Sequence, residues 1–80
     1  MKLEILTPES VLFSGETDSI TLPGTAGSFQ ILNHHAPIIS TLTKGVLSFI
    51  ADGETHRIEV VDGVVEMHDN KVTICIDRIL

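Results

Sequence analysis

The amino-acid sequence predicts an all-β fold, a single small β-sandwich of roughly eight to ten short strands, which is an ordinary size for such sheets. Its 80 residues suffice for one domain, to which we assign residues 1–80. Ile, Val and Thr are abundant and Ala is scarce, a composition typical of strands. Turn dipeptides recur about every 8 to 12 residues, the spacing of a sandwich or barrel. These dipeptides are Ser14-Gly15, Pro23-Gly24, Lys44-Gly45, Asp52-Gly53, Asp62-Gly63 and Asp69-Asn70.

Alternation of apolar and polar side chains marks the strands near the start of the chain. The apolar positions are Leu3 and Ile5, followed by Ile20 and Leu22. The segment Gly24-Thr25-Ala26-Gly27 then predicts a tight β-turn, in which glycine supplies positive φ. A short apolar strand follows, and Pro37 ends it because proline lacks an amide donor and fixes φ.

Two apolar pairs in the middle of the chain, Ile38-Ile39 and Val46-Leu47, do not alternate. Their continuous apolarity predicts strands that are covered on both faces, by the second sheet and by something outside the domain. Alternation returns near the end, where Thr73 and Cys75 are predicted to face away from the core. The predicted core comprises Leu3, Ile5, Ile20, Ile58, Val60, Val72, Ile74 and Ile76.

Charge and composition exclude several classes of function. The formal net charge of −6 disfavours nucleic-acid binding and polybasic attachment to anionic lipid. The single cysteine, Cys75, excludes an internal disulfide and fits a reducing compartment. The sequence shows no signal peptide and no apolar run approaching the roughly 18 residues of a membrane span. We therefore expect membrane association only through partners.

The sequence predicts no catalytic residue, no metal site and no cofactor. Adjacent His34 and His35 in an extended segment would point to opposite faces, which is poor geometry for one metal ion. Cys75 lies inside a predicted strand, which predicts a packed, unreactive thiol. The Gly24–Gly27 turn lacks the lysine and helix of a phosphate-binding loop.

The stretch from Leu22 to Leu47, LPGTAGSFQILNHHAPIISTLTKGVL, places His-Ala-Pro one short strand after the glycine turn. Together with the flanks Leu3–Glu9, Leu12–Gly15, Val61–Met67 and Lys71–Ile74, it resembles the epsilon subunit of the F-type ATP synthase. The resemblance covers essentially all 80 residues and corresponds to the N-terminal β-sandwich of that family. It leaves no residues for the C-terminal helical hairpin, so we expect the chain to lack that regulatory element.

The resemblance implies a non-catalytic subunit of the central stalk, or rotor, of the ATP synthase. Such a subunit docks gamma to the membrane c-ring and couples ion translocation to ATP synthesis. The implied partners are gamma, the c-ring and the whole F-type complex. The implied location is peripheral, at the cytoplasmic face of the bacterial inner (plasma) membrane.

The resemblance also implies two sets of contact residues. Positions matching the c-ring contact are Gly27, Ser28 and Phe29, with His35 from the neighbouring loop. Positions matching the gamma-facing surface are Thr7 and Ser40, with Ile38 and Leu42 as neighbours.

Two other readings stay open at this point. A small ligand- or carbohydrate-binding β-sandwich would need exposed aromatic rings for stacking, and the chain has three Phe, no Tyr and no Trp. An enzyme would need a convergent set of catalytic side chains, which the sequence does not display.

Overall fold

The computed structural model describes the backbone of residues 1–79 and the side chains of residues 1–77. This part of the chain forms eight strands and no helix, which confirms the predicted all-β fold. The strands are β1 (Lys2–Leu6), β2 (Val11–Glu16), β3 (Ser19–Gly24), β4 (Gly27–Leu32), β5 (Ile38–Leu42), β6 (Gly45–Ala51), β7 (Glu54–His68) and β8 (Lys71–Ile79).

The eight strands form one mixed sheet that folds into two layers sharing the long strand β7. One layer runs β2-β1-β8-β7-β5, and the other runs β4-β3-β6-β7. The first half of β7 pairs with β6, and its second half pairs with β5 and β8. All pairs are antiparallel except β1 with β8. The shared strand joins the two layers into one sandwich.

Four of the six turn dipeptides lie at or beside turns, and two predictions were wrong. Asp62-Gly63 lies inside β7, where the register of pairing with β8 shifts. Such a bulge lets one strand bend from one layer into the other. A Cβ on Gly63 would come within 2.5 Å of the Cys75 carbonyl oxygen, so glycine serves close packing there. Ser14-Gly15 likewise lies inside β2.

The core between the layers matches the predicted set closely. Seven of the eight predicted residues are at most 1% exposed, and Ile58 is partly buried against them. Each fully buried aliphatic side chain contributes about 1.5–3 kcal/mol to folding. The residues that the alternation did not single out include Ile31, Leu47, Phe49, Val65 and Met67.

The described residues cover one face of the strands that carry the apolar pairs, since Leu47 is buried while Val46 and Ile39 are 46% and 74% exposed. The predicted cover of the other face from outside the domain stays a prediction. One further prediction was wrong. Cys75 is exposed rather than packed, because it lies on the outward face of β8 between buried Ile74 and Ile76. Its position on that face agrees with the alternation.

Candidate functional site

The β3–β4 hairpin presents the first predicted contact region, Gly27, Ser28 and Phe29. Gly27 adopts φ +126°, and a Cβ there would meet no atom within 4 Å, so glycine is needed for its backbone conformation alone. Gly24 packs under the Phe29 ring, where a Cβ would come within 2.7 Å of Cε1. Gly27 and Ser28 are exposed, whereas Phe29 is half-buried against the core. Phe29 therefore supports the hairpin tip from inside.

The β4–β5 loop, residues 33–37, carries His35. The His35 amide donates to the Leu32 carbonyl at 3.1 Å, and its ring Nδ1 lies 2.7 Å from the Ala36 carbonyl oxygen. His34 has φ 63°, and its amide donates to Asn70 Oδ1 at 2.7 Å. The loop is thus tied to the β7–β8 hairpin, and the His35 side chain remains exposed.

The structure does not bring His35 together with Gly27 and Ser28. Gly27 and Ser28 are the first two residues of β4, and His35 lies three residues beyond its last residue, Leu32. Each residue of a strand spans about 3.3 Å. The two loops therefore lie at opposite ends of β4, on the order of 15–20 Å apart. A single partner surface would have to span that length to touch both.

Strand β5 holds three of the four residues matched to the gamma-facing surface. Ile38, Ser40 and Leu42 share one parity and point inward, so Leu42 is only 3% exposed while Ile38 and Ser40 are half-buried. The outward residues of the strand are Ile39 and Thr41. Contact through the Leu42 side chain is therefore not available at the surface.

Thr7, the fourth matched residue, closes the turn after β1. Its amide donates to the Ser10 carbonyl at 2.9 Å, and its Oγ1 accepts from the Ser10 amide at 3.1 Å. Strands β8 and β7 lie between β1 and β5, so Thr7 is about 14 Å from β5 at a strand spacing near 4.8 Å. Followed through the two strands between them, the pairing aligns Leu6 of β1 with Thr41 of β5. The next residues, Thr7 and Leu42, therefore lie at the same end of the layer.

A shallow groove beside the start of β5 was not predicted. Its volume is about 410 Å³, and its lining comprises Pro37, Ile38, Ile39, Glu66, Met67 and His68. Ile39 is the most exposed large apolar side chain of the described residues, at 74%. In the sequence, the apolar pair Ile38-Ile39, which breaks the alternation of apolar and polar residues, was the one signal that indicated this groove.

The ionisable side chains near the groove form weak surface pairs. His68 Nε2 lies 3.6 Å from Glu66 Oε1, and His68 Nδ1 lies 3.3 Å from Asp69 Oδ2, with all three side chains at least half exposed. Among residues 1–79 no group of three His, Cys, Asp or Glu side chains is placed to hold a metal ion. Over the same residues, no helix is long and apolar enough to cross a bilayer.

Comparison with known proteins assigns the chain to a family. Residues 1–80 match the description "ATP synthase, Delta/Epsilon chain, beta-sandwich domain". The chain is 39% identical over 78 residues to the ATP synthase epsilon chain of Leptospira borgpetersenii, covering 98% of this chain and 61% of that one. It is 40% identical over 74 residues to that of Nitratidesulfovibrio vulgaris, covering 92% of this chain and 55% of that one. The chain thus spans somewhat more than half the length of these relatives.

Solved structures share the fold at low sequence identity. A chain in the cryo-EM structure of the Tetrahymena thermophila mitochondrial ATP synthase central stalk and c-ring superposes with a TM-score of 0.84 at 19% identity, covering 99% of this chain and 64% of that one. A chain of the Euglena gracilis mitochondrial ATP synthase gives a TM-score of 0.88 at 18% identity, covering 98% and 51%. By the family match over its whole length, this chain belongs to the β-sandwich family of the ATP synthase delta/epsilon chain.

Proposed function

We propose that this domain is a non-catalytic docking module of the F-type ATP synthase rotor, which links gamma to the c-ring and couples ion translocation to ATP synthesis. The observation that carries the proposal is the family match over residues 1–80. The fold likeness to chains of ATP synthase assemblies supports it. The domain would lie at the cytoplasmic face of the bacterial plasma membrane, held there by its partners.

The proposed gamma contact is the surface around β5, with Thr7 at the same end of the layer. Ile38 and Ser40 are half-buried and accessible at the side of the sandwich, and Ile39 projects outward beside them. Leu42 would act from inside the core by holding the end of β5 in place. An exposed apolar side chain next to an apolar groove favours protein contact.

The proposed c-ring contact is the hairpin tip, Gly27 and Ser28, supported by Phe29, together with His35. Gly27 and Ser28 are exposed at the start of β4, directly after the Thr25-Ala26 turn, and Gly27 has the positive φ of +126° that the chain needs there. His35 would reach the ring only if the contact extends along the length of β4. Polar and conformationally fixed loops suit contact with the polar loops of another subunit.

The single core and the tight turns of the domain suit a role in transmitting torque. One core joins both layers, and the hairpins that end at Asp52-Gly53 and Asp69-Asn70 use residues with positive φ. Such short, strongly specified turns leave few alternative arrangements of the strands. A body of this kind can pass force between two partners without a hinge.

The carbohydrate-binding alternative loses support from the positions of the aromatic rings. Phe49 is 3% exposed, and Phe13 and Phe29 are partly buried against the core. Phe49 already contacts Phe13 and the His56 ring, at centroid distances of 4.6 and 5.1 Å. None of the three phenylalanines is exposed, which disfavours stacking on a sugar.

The experiment that tests the proposal is capture of partners by the tagged chain from detergent-solubilised native membranes, followed by mass spectrometry. Gamma and c-ring subunits should be enriched together over a capture with a β-sandwich of unrelated family. Recovery of neither subunit, from membranes in which both are detected, would contradict the proposal.

A further inference from the structure

Strand β5 is paired along one side but only at one end of the other side. On the first side it pairs with β7 from Ile38 to Leu42. On the second side it meets β3 through the single pair Gly24 with Leu42. Two bonds flank this pair: the Thr25 amide donates to the Thr41 carbonyl at 3.3 Å, and the Thr43 amide donates to the Pro23 carbonyl at 2.8 Å.

The chain leaves this side of β5 open because the β3–β4 hairpin turns back there. Residues Thr25 and Ala26 form the turn, and from Gly27 onward the chain runs back along β3. Ile20 and Thr21 of β3 pair with β6 instead of β5. The stretch of β5 from Ile38 to Ser40 consequently has no neighbouring strand on that side within residues 1–79.

The backbone of Ile39 points into this open space. Along an antiparallel strand, the amide and carbonyl of successive residues point alternately to the two sides. The Thr41 carbonyl points toward β3, so the amide and carbonyl of Ile39 point the same way, while those of Ile38 and Ser40 point toward β7. An unpaired donor and acceptor thus stand beside a side chain that is 74% exposed.

We propose that this open edge receives an extended segment of the partner as an additional strand. The inference rests on the proposed function, in which β5 faces gamma, and it assigns the manner of docking. Strand addition explains how inward-pointing residues of β5 can contribute to binding, because a new strand would contact Ile38 and Ser40 on one face and Ile39 on the other. Main-chain hydrogen bonds would supply affinity, and side-chain pockets would supply specificity.

The charges around the edge define the chemistry of the added segment. Glu66 lies directly across from Ile39 on β7, and its side chain is 51% exposed. The whole chain carries a formal charge of −6. We therefore expect the segment to place an apolar side chain in the groove beside Ile39 and a Lys or Arg within reach of Glu66.

The two other edge strands are less suited to receive a partner. Strand β2 carries an irregularity where its pairing with β1 shifts near Val11, and such irregularities twist an edge away from further pairing. The main-chain groups of Ser28 and Gln30 face the open side of β4, and both residues are polar. The side-chain Nε2 of Gln30 already donates a hydrogen bond to Ser19 Oγ at 2.9 Å. Strand β4 therefore provides the control for the experiment.

The test compares Ile39→Pro with Gln30→Pro in the intact chain. The Ile39 amide points away from β7, so proline there removes a donor from the open edge and none from the sheet. The matched position on β4 is the main-chain amide of Gln30, which is paired with Thr21 of β3. The Pro23 carbonyl points toward β5, and Thr21, two residues earlier, points its main-chain groups the same way. The main-chain amide of Gln30 therefore points away from β3, toward the open side of β4. Gln30→Pro also removes the side-chain bond to Ser19, so it should lower the melting temperature at least as much as Ile39→Pro does.

Binding to purified gamma is then measured by titration calorimetry. Ile39→Pro should raise the Kd about tenfold or more, since it removes one hydrogen bond and obstructs a neighbouring strand, while Gln30→Pro should leave it within about twofold. Glu66→Gln should raise the Kd modestly and flatten its dependence on salt. Equal affinities of wild type and a folded Ile39→Pro would overturn strand addition.

Amide hydrogen exchange of the wild type gives a second readout that does not depend on a variant folding. Exchange of the Ile39 amide should slow at least tenfold when gamma is added. Gamma binding without protection at Ile39 would overturn strand addition and leave the proposed function standing, whereas absence of gamma binding would overturn both. Protection that appears with self-association alone, detected by sedimentation, would assign the edge to a second copy and contradict the proposal.

Discussion

Strands β8 and β5 lie in the same layer, and they differ in what completes them. Strand β8 is paired on both sides, by β1 and β7, and its apolar residues Val72, Ile74 and Ile76 are all buried. Strand β5 is paired fully on one side only, and its residue Ile39 is 74% exposed. Strand β8 is therefore complete within this chain, whereas β5 has the open edge to which we assign the docking of a partner.

The largest effect should come from a substitution in the core of β8, the strand that is paired on both sides. Ile74→Ala removes a fully buried side chain from the centre of β8, and we expect it to lower the free energy of unfolding by about 4 kcal/mol. The matched control is Cys75→Ala on the outward face of the same strand, which should cost less than about 0.5 kcal/mol. Urea unfolding of both variants measures the difference, and equal losses would show that the burial pattern of β8 is misassigned.

Substitution in β5 should weaken gamma binding, and the free energy of unfolding must be measured beside it because Ile38 packs partly against the core. Ile38→Arg or Ser40→Arg would place an unpaired charge in the proposed gamma contact, and we expect gamma affinity to fall by about 3 kcal/mol. The control is Val46→Arg, which introduces the same charge at an exposed apolar residue of the other layer. If the β5 variants fold and bind gamma with native affinity while Val46→Arg does not, the contact lies on the other layer.

The two proposed contacts can be separated by changing the loops instead of β5. Ser28→Arg together with His35→Ala should change gamma affinity by less than about 0.5 kcal/mol, because both residues are exposed and outside β5. Ion-driven ATP synthesis by reconstituted enzyme should decrease relative to ATP hydrolysis. If this variant lost gamma binding, Ser28 or His35 would belong to the gamma contact. If coupling were unimpaired, these two residues would not belong to the c-ring contact.

The smallest expected effect is that of nucleotide. The proposed role needs no bound nucleotide, so millimolar ATP should leave the melting temperature of the chain unchanged within error. A ligand that binds only the folded state must raise that temperature. A saturable rise at micromolar ATP would therefore contradict the assignment of all surfaces to protein partners.

Local patterns in the sequence predicted what depends on local physics. Alternation identified the buried faces of β1 and β8, because successive side chains of any strand point to opposite sides. Asp52-Gly53 and Asp69-Asn70 were correctly predicted as turns, because these residues adopt positive φ at low cost. The same reasoning failed at Asp62-Gly63, where pairing with distant strands places the dipeptide inside β7.

The arrangement of the candidate site depended on contacts that alternation does not encode. Ser28 lies at the start of β4 and His35 lies in the loop after its end, so the extended strand holds the two residues apart. The exposure of Ile39 follows from the point at which the β3–β4 hairpin turns back beside β5. This exposure of Ile39 arises from strand pairing over long sequence distances, so it could not be derived from residue spacing.

The central claim, that β5 faces gamma, is tested most directly by site-specific cross-linking in the assembled enzyme. Cys75 is the single cysteine and is exposed, so it is first replaced by serine. Ile39→Cys and the control Val46→Cys are then introduced separately, and each is treated with a short cysteine-reactive cross-linker. We predict that Ile39→Cys yields an adduct with gamma and Val46→Cys does not; an adduct with gamma from Val46→Cys alone would contradict the account.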